Sequence, residues 1–508
     1  MTNNNLFSLI QSRYPDDMSQ VFLQNPGGLS LSYAALDQGT ARVAGTLRHL
    51  GAKAGDRVVV QVEKSAEAVM LYLGCVRAGA IYVPLNTAYT AAELDYFVAD
   101  AKPHVLVCRP ESLDTFTEIA ADHNVAHTLS LGLEEGGTLV DAMDRVPDGD
   151  GAVEVRGLDD IAAILYTSGT TGRSKGAMLS HGNLASNALC LHELWGFVPG
   201  DVLLHALPIY HVHGLFVALH CALLNASTVW FLPKFDVAQV MPLIPKSTVM
   251  MGVPTFYVRL LDQDDFGPEM CDGMRLFVAG SAPLLSETFA AFEARTGHRI
   301  LERYGMTEAG MIPSNPLNGE RLAGSVGFTL PGTRARVCDD DGNTVAMGEP
   351  GTLEITGPNV FLGYWQNPEK TKAEFRDDGY FITGDVATMS GDGRICIVGR
   401  AKDLIISGGF NVYPKEIELE IDALDGVSES AVIGLPHRDF GEAVTAVVVR
   451  GPSLHVDEAA IKSALVDTLA KFKQPKKVFF VGALPRNAMG KVQKNALREQ
   501  YADTFSGS

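Results

Sequence analysis

Residues 166–181 read YTSGTTGRSKGAMLSH and crowd three glycines, a run of Ser and Thr hydroxyls, Arg173 and Lys175 into one short stretch. Glycine lets a backbone approach a ligand closely. Free N–H groups, hydroxyls and a nearby lysine are the groups that hold phosphate oxygens. Thr167, Ser168, Gly169, Thr170, Thr171 and Gly172 therefore form a candidate polyphosphate cradle, with Lys175 adding charge. The Walker form does not fit, because it places lysine directly after the second glycine, whereas Arg173 and Ser174 intervene here. The flanks IAAILY and GAMLS read as two strands, with a helix starting near His181, so the loop is a strand–loop–strand clasp. A plain flexible Gly/Ser turn is the competing reading.

Other polar constellations are sparser. His211 and His213 stand in an H-x-H pair without an evident third metal ligand. KFKQPKK at 471–477 suits either the phosphates of a large anionic cofactor or a solvated basic face. There is no G-x-S-x-G elbow and no other clear nucleophile signature.

The elements that must position these residues follow from periodicity. In the first hundred residues, helical runs (SYAALDQGTARVAGTLRHLG, SAEAVMLYLGCVRAG, AAELDYFVADA) alternate with strand-like runs (RVVVQV, IYVPL, HVLVC). Such βαβ alternation predicts largely parallel sheet covered by helices. From about residue 320, short β-like runs dominate (GTLEITG, GYFITGDVATM, RICIVGR), predicting a β-rich subdomain over about 320–400. Beyond it the pattern turns to α+β: KEIELEIDAL and EAAIKSALVDTLA as helices, ESAVIGLP and EAVTAVVVR as strands. The expected architecture is α/β: a large domain over 1–401 and a small α+β domain over 402–508.

At 508 residues the chain has room for both. Its net charge of −19 argues against general nucleic-acid or anionic-membrane binding, and means that an anionic substrate needs a locally basic pocket. Seven scattered cysteines without a C-x-x-C pair, no basic-then-apolar leader and no run long enough to span a bilayer give the expectation of a cytoplasmic protein with reduced thiols.

The phosphate-type loop, RYGMTE (303–308), YFITGD (380–385), GRAKDLI (399–405) and PRNAMGKVQK (485–494) occur in that order. Together they resemble the adenylate-forming superfamily of acyl-CoA synthetases, stand-alone adenylation domains and beetle luciferases, over essentially the whole chain. LPIYHVHGLFVAL, LPKFD, VPTFYVRLL, LFVAGSAPL and GGFNVYPKEIE are most similar to malonyl-CoA and methylmalonyl-CoA synthetases.

The resemblance implies a two-step reaction with ATP, Mg²⁺ and coenzyme A. A substrate carboxylate attacks the α-phosphorus and releases pyrophosphate; the CoA thiol then attacks the acyl carbon and releases AMP. It implies a large domain with a small mobile lid. Lys491, on that lid, would neutralise charge at the α-phosphate, Thr307 would touch that phosphate, and Glu308 would ligate Mg²⁺. Tyr304 would stack on adenine, with Glu302 and Gly305 beside it and Gly280, Ser281 and Ala282 walling its other side. Asp385 and Arg400 would hold the ribose. His211 would join the catalytic site as a wall of the acyl pocket, leaving His213 structural. Lys402 would be the hinge, and Gly408 and Gly409 would face the CoA tunnel. Lys491 is also implied as a target of a lysine acetyltransferase and deacetylase.

Malonate leaves one carboxylate free after adenylation, so its pocket needs a cation. Arg303 is the candidate, with Ser281, Val212 and Met306 lining the space; the competing reading pairs Arg303 with Glu302 or another acid. The rival functions are a CoA ligase for another short or aryl acid, an adenylation unit loading a carrier-protein thiol, and a silent nucleotide binder.

Overall fold

A computed structural model describes residues 3–133, 136–146, 151–167, 174–407, 410–437, 440–451, 456–466, 468–469, 471–487 and 490–506. Ser168 to Gly172 of the phosphate loop, and Gly408 and Gly409, lie outside the described residues.

Two large sheets form the body of the molecule. The six-stranded one runs in the order His127–Ser130, Val105–Cys108, Arg57–Gln61, Ile81–Pro84, Ile161–Thr167, Lys175–Ser180. All its neighbours are parallel except the last pair. The nine-stranded one places Leu301–Met306, Leu276–Ala279, Val249–Gly252, Val202–His205, Thr228–Phe231 and Val21–Gln24 in a parallel centre. Strand Arg57–Gln61 shows why the sequence gives unbroken apolar runs. Val58 and Val60 enter the main core while Val59, on the opposite face, enters another. A strand covered on both faces needs apolar residues at every position. Helices Leu6–Gln11, Ala66–Arg77, His181–Leu194 and Leu219–Leu224 share the main core with residues of both sheets.

The β-rich region is a four-stranded antiparallel sheet of Arg334–Cys338, Gly351–Thr356, Phe381–Met389 and Ile395–Arg400. After the short turn Ala401–Asp403, strand Ile405–Ser407 belongs to a different sheet. There Gly441–Arg450 pairs with Val427–His437 and, in parallel, with Lys477–Val481. Its alternation is clean: Val444, Ala446 and Val448 pack on helices Pro414–Asp422 and Glu458–Ala464, while Val447 faces helix Lys494–Gln500.

The helix expected through EAAIKSALVDTLA stops at Ala464. Asp457 caps its start by accepting from the Ala460 N–H at 2.8 Å. Ile461, Leu465 and Leu469 are buried in one core while Val466 turns to solvent. All seven cysteines are free thiols. No described helix is long and apolar enough to cross a membrane.

Candidate active site

The adjacent strands Ile161–Thr167 and Lys175–Ser180 pair antiparallel, and Thr167 lies opposite Lys175. The two ends of the clasp are thus held side by side. The Thr167 hydroxyl donates to Glu308 Oε1 at 3.4 Å. Glu308 sits in the turn after strand Leu301–Met306, buried, and it also accepts from the Tyr364 hydroxyl at 3.1 Å. Burial raises its pKa, with the hydrogen bonds opposing. Half-buried Thr307 belongs to the same turn.

Tyr304 and Asp385 meet through a phenol-to-carboxylate hydrogen bond to Asp385 Oδ2. Arg400 Nε holds Asp385 Oδ1 at 2.6 Å, the two residues being cross-strand partners in the β-rich sheet. Burial lowers the Arg400 pKa, but Asp385, Tyr304 and Glu308 outweigh it and the net shift is upward. Asp385 keeps its place partly through its own N–H, which donates to Thr383 Oγ1 at 3.1 Å.

Arg303 is 2 % exposed, and its Nε and Nη2 have no hydrogen-bond partner among the described residues. Removal from water lowers its pKa to about 9. Gly280 makes room for it: a Cβ there would lie 2.3 Å from Arg303 Nη1. Glu302 does not pair with it. One carboxylate oxygen accepts from the Leu284 N–H at 3.1 Å and the other has no partner, and burial lifts its pKa to about 7. The expected competitor for Arg303 is therefore not realised. Successive strand side chains point to opposite faces.

The wall opposite is built by HVHG. Residues His213–Ala218 form a π-helical turn, a wide coil that recurs at functional sites. Gly214 permits it, since a Cβ there would meet the Pro208 carbonyl oxygen at 2.1 Å. His213 is buried and shares a 3.2 Å hydrogen bond with Ser281, whose φ of 72° is unusual for a non-glycine residue. His211 is half-buried; burial, then the charge of Lys491, takes its pKa to about 4. It is therefore a neutral imidazole near pH 7. Val212 is buried, Met306 and Ala282 are half-buried, and Gly305 pairs with Met311 across the hairpin.

Lys491 reaches this cleft from the small domain. It is open to solvent yet ringed by protein, and that enclosure lowers its pKa. Arg400, Asp385, Glu308 and Arg303 all act on its charge. Its N–H donates to Asn487 Oδ1 at 3.0 Å. Lys402 is exposed in the turn Ala401–Asp403, where Asp403, Arg400, Arg498 and Asp385 act on its charge.

Two residues absent from the sequence reading join the site. Tyr364 links Glu308 to Glu374, donating to Glu374 Oε2 at 2.6 Å, and Glu374 Oε1 lies 3.6 Å from Lys175 Nζ. Nothing in the local pattern of GYWQNPEKTKAEF marks them, because their partners are far away in sequence.

Tyr304, Asp385, Arg400, Glu308 and Lys491 converge on one place, close to the strand pair that brackets the candidate phosphate loop, and such a set suits an adenylating enzyme. Residues 10–365 match the family described as AMP-binding enzyme, and residues 416–491 match the AMP-binding enzyme C-terminal domain. The chain belongs to the AMP-binding enzyme family. It is 36% identical over 480 residues to a malonate–CoA ligase of Arabidopsis thaliana, covering 88% of this chain and 78% of that one. The crystal structure of ATP-bound MatB from Rhodopseudomonas palustris is 54% identical, with a TM-score of 0.96, covering 99% of this chain and 100% of that one. The apo form of the same protein, with the same coverage and identity, superposes with a TM-score of 0.86.

Proposed function

We propose that this chain is an AMP-forming malonate–CoA ligase, with methylmalonate a second substrate. The observation that carries the substrate assignment is Arg303, a buried guanidinium with two unpartnered N–H groups at the acyl site. A cation left unpaired in the interior is costly, and a carboxylate matches a guanidinium with paired hydrogen bonds. The distal carboxylate of malonate would satisfy it.

Both nucleophiles belong to substrates, so the protein's part is positioning and charge. Thr167 and Lys175, with the loop between them, hold the β- and γ-phosphates. Tyr304 lies against adenine, and Asp385 and Arg400 take the ribose hydroxyls. Lys491 offsets charge as the malonate oxygen bonds to the α-phosphorus and pyrophosphate leaves. Glu308 suits Mg²⁺, which is commonly held by one or two carboxylates plus phosphate oxygens and water; when bound, the ion neutralises phosphate charge. Among the described residues no cluster of three or more His, Cys, Asp or Glu stands ready for a metal. In the second half-reaction the CoA thiolate attacks the acyl carbon and AMP departs, after the small domain turns about Lys402.

The test is CoA-dependent AMP release with malonate, propionate and acetate, for wild type and Arg303→Ala. Loss of the buried partner should cost malonate about 3 kcal/mol, roughly a hundredfold in kcat/KM. Propionate and acetate should fall far less. Parallel loss for all three acids would refute the assignment of Arg303 to the second carboxylate.

A further inference from the structure

On the far side of Lys175 a second pocket opens, ≈ 370 Å³ in volume, lined in part by Ser174, Lys175, Gln366, Asn367 and Lys370. It lies beside the described end of the phosphate loop but shares none of Tyr304, Asp385 or Arg303 with the nucleotide and acyl cleft. Two ammonium groups border it. Lys370 Nζ is 2.7 Å from Glu374 Oε1, and Lys175 Nζ is 3.6 Å from that same oxygen. Both cations meet at one atom, so a single diphosphate is long enough to bridge them. The acid on the opposite rim is already engaged: Asp100 Oδ2 accepts from the Tyr166 hydroxyl at 2.6 Å.

We propose that this pocket is a diphosphate subsite that receives pyrophosphate as it leaves the adenylation centre. Lys370 is its second cation, and Glu374 is the carboxylate that reclaims both lysines when the anion departs. The inference rests on the reading of Lys175 as a phosphate lysine. Glu374 is suited to compete because it stays available: it is 20 % exposed, just past the end of the short helix Pro368–Ala373, and its other oxygen accepts from Tyr364. Tyr364 has one phenolic proton for two carboxylates, Glu374 Oε2 at 2.6 Å and Glu308 Oε1 at 3.1 Å. When an anion draws the lysines off Glu374, that proton has its better acceptor in whichever carboxylate is left less compensated. The lysine pair and the proposed metal carboxylate are thereby joined through one hydroxyl. An internal carboxylate that takes back the lysines also limits product inhibition, since it replaces the lost anion without waiting for solvent ions.

Inorganic pyrophosphate is the probe, titrated calorimetrically into the full-length protein with Mg²⁺, and used in parallel as an inhibitor of AMP release. Lys370→Met should weaken pyrophosphate binding and raise its inhibition constant about tenfold, the scale of one charge-assisted contact. Lys370→Arg should restore both to within about twofold, because the charge returns. Glu374→Gln should tighten pyrophosphate about fivefold, with the gain shrinking as salt is added. If Lys175→Ala weakens ATP and pyrophosphate while neither Lys370→Met nor Glu374→Gln changes pyrophosphate binding, the subsite is wrong and the phosphate clasp stands. If Lys175→Ala alters neither ligand, the clasp reading itself fails. Equal weakening by Lys370→Met and Lys370→Arg also overturns the subsite, since it assigns Lys370 to helix packing.

Discussion

Arg303 and Glu302 are neighbours in one strand, yet neither neutralises the other. Alternation sends their side chains to opposite faces, leaving Arg303 with two free donors and Glu302 with one free acceptor. The sequence suggests Arg303 for the acyl pocket by its position before Tyr304, but adjacency alone leaves the ion pair with Glu302 open. Glu302 carries its own consequence. Its carboxyl is lifted from 4.5 to about 7 by burial, so the folded chain holds a proton there that the unfolded chain has lost. Stability is therefore unpenalised below pH 4.5 and declines as pH rises through about 7. The full decline is about 3 kcal/mol. Glu302→Gln keeps the acceptor for the Leu284 N–H and removes the titration. The variant should melt close to wild type at acidic pH and above it at alkaline pH. Thermal unfolding on both sides of the transition checks this; identical pH slopes for the two proteins would show that Glu302 is not the titrating group.

Among elements, the three helices and three strands between residues 33 and 108 were legible because the strands are continuous apolar runs and the helices carry apolar residues at helical spacing, whereas Leu6–Gln11, Val21–Gln24 and Ser30–Ser32 are too short to show a period. Helix Ala91–Ala101 and the strands around the phosphate loop fall where periodicity puts them. The π-helical turn His213–Ala218 was not legible. Its sequence is an ordinary apolar helical run, and its widening depends on the distant His205, whose Nε2 lies 2.9 Å from the Gly214 carbonyl. Lys64 fixes His205 in turn, with Nζ 2.8 Å from Nδ1. The pairing of Tyr364 with Glu308 and Glu374 was hidden for the same reason: tertiary partners leave no local period. The turn makes a prediction at this scale. Gly214→Ala forces a methyl against the Pro208 carbonyl, a backbone atom that has no rotamer to escape by. The cost should be about 1–3 kcal/mol. Urea unfolding measures it, and KM for malonate should rise with it because His211 and Val212 ride on the same turn. A variant as stable as wild type, with unaltered KM, would mean that the turn tolerates ordinary α-helical packing.

At the scale of the whole molecule, Lys491 lies where the charges of Arg400, Asp385, Glu308 and Arg303 act on it. The loop carrying it meets the large domain where a side chain at Gly490 would come within 3.7 Å of Thr255. On the proposed reading Lys491 acts through its proximity to Glu308, Asp385 and Arg400. The thiol step needs no lysine at the α-phosphate, because the bond broken there lies between acyl carbon and adenylate oxygen. In the proposed mechanism this docking serves adenylation, and a rotation about the turn Ala401–Asp403 serves thioester formation. The motif order leads to the expectation of two domains but does not say which docking the fold adopts, since that depends on contacts as distant in sequence as Gly490 with Thr255. Lys491→Ala should nearly abolish formation of the acyl-adenylate while still converting supplied malonyl-adenylate and CoA to product. Lys402→Pro should do the reverse, because proline fixes φ at the pivot and leaves the docked cleft assembled. Single-turnover assays of each half-reaction separate the two. Equal damage to both halves in both variants would remove Lys402 from the hinge and make Lys491 a structural residue of the closed cleft.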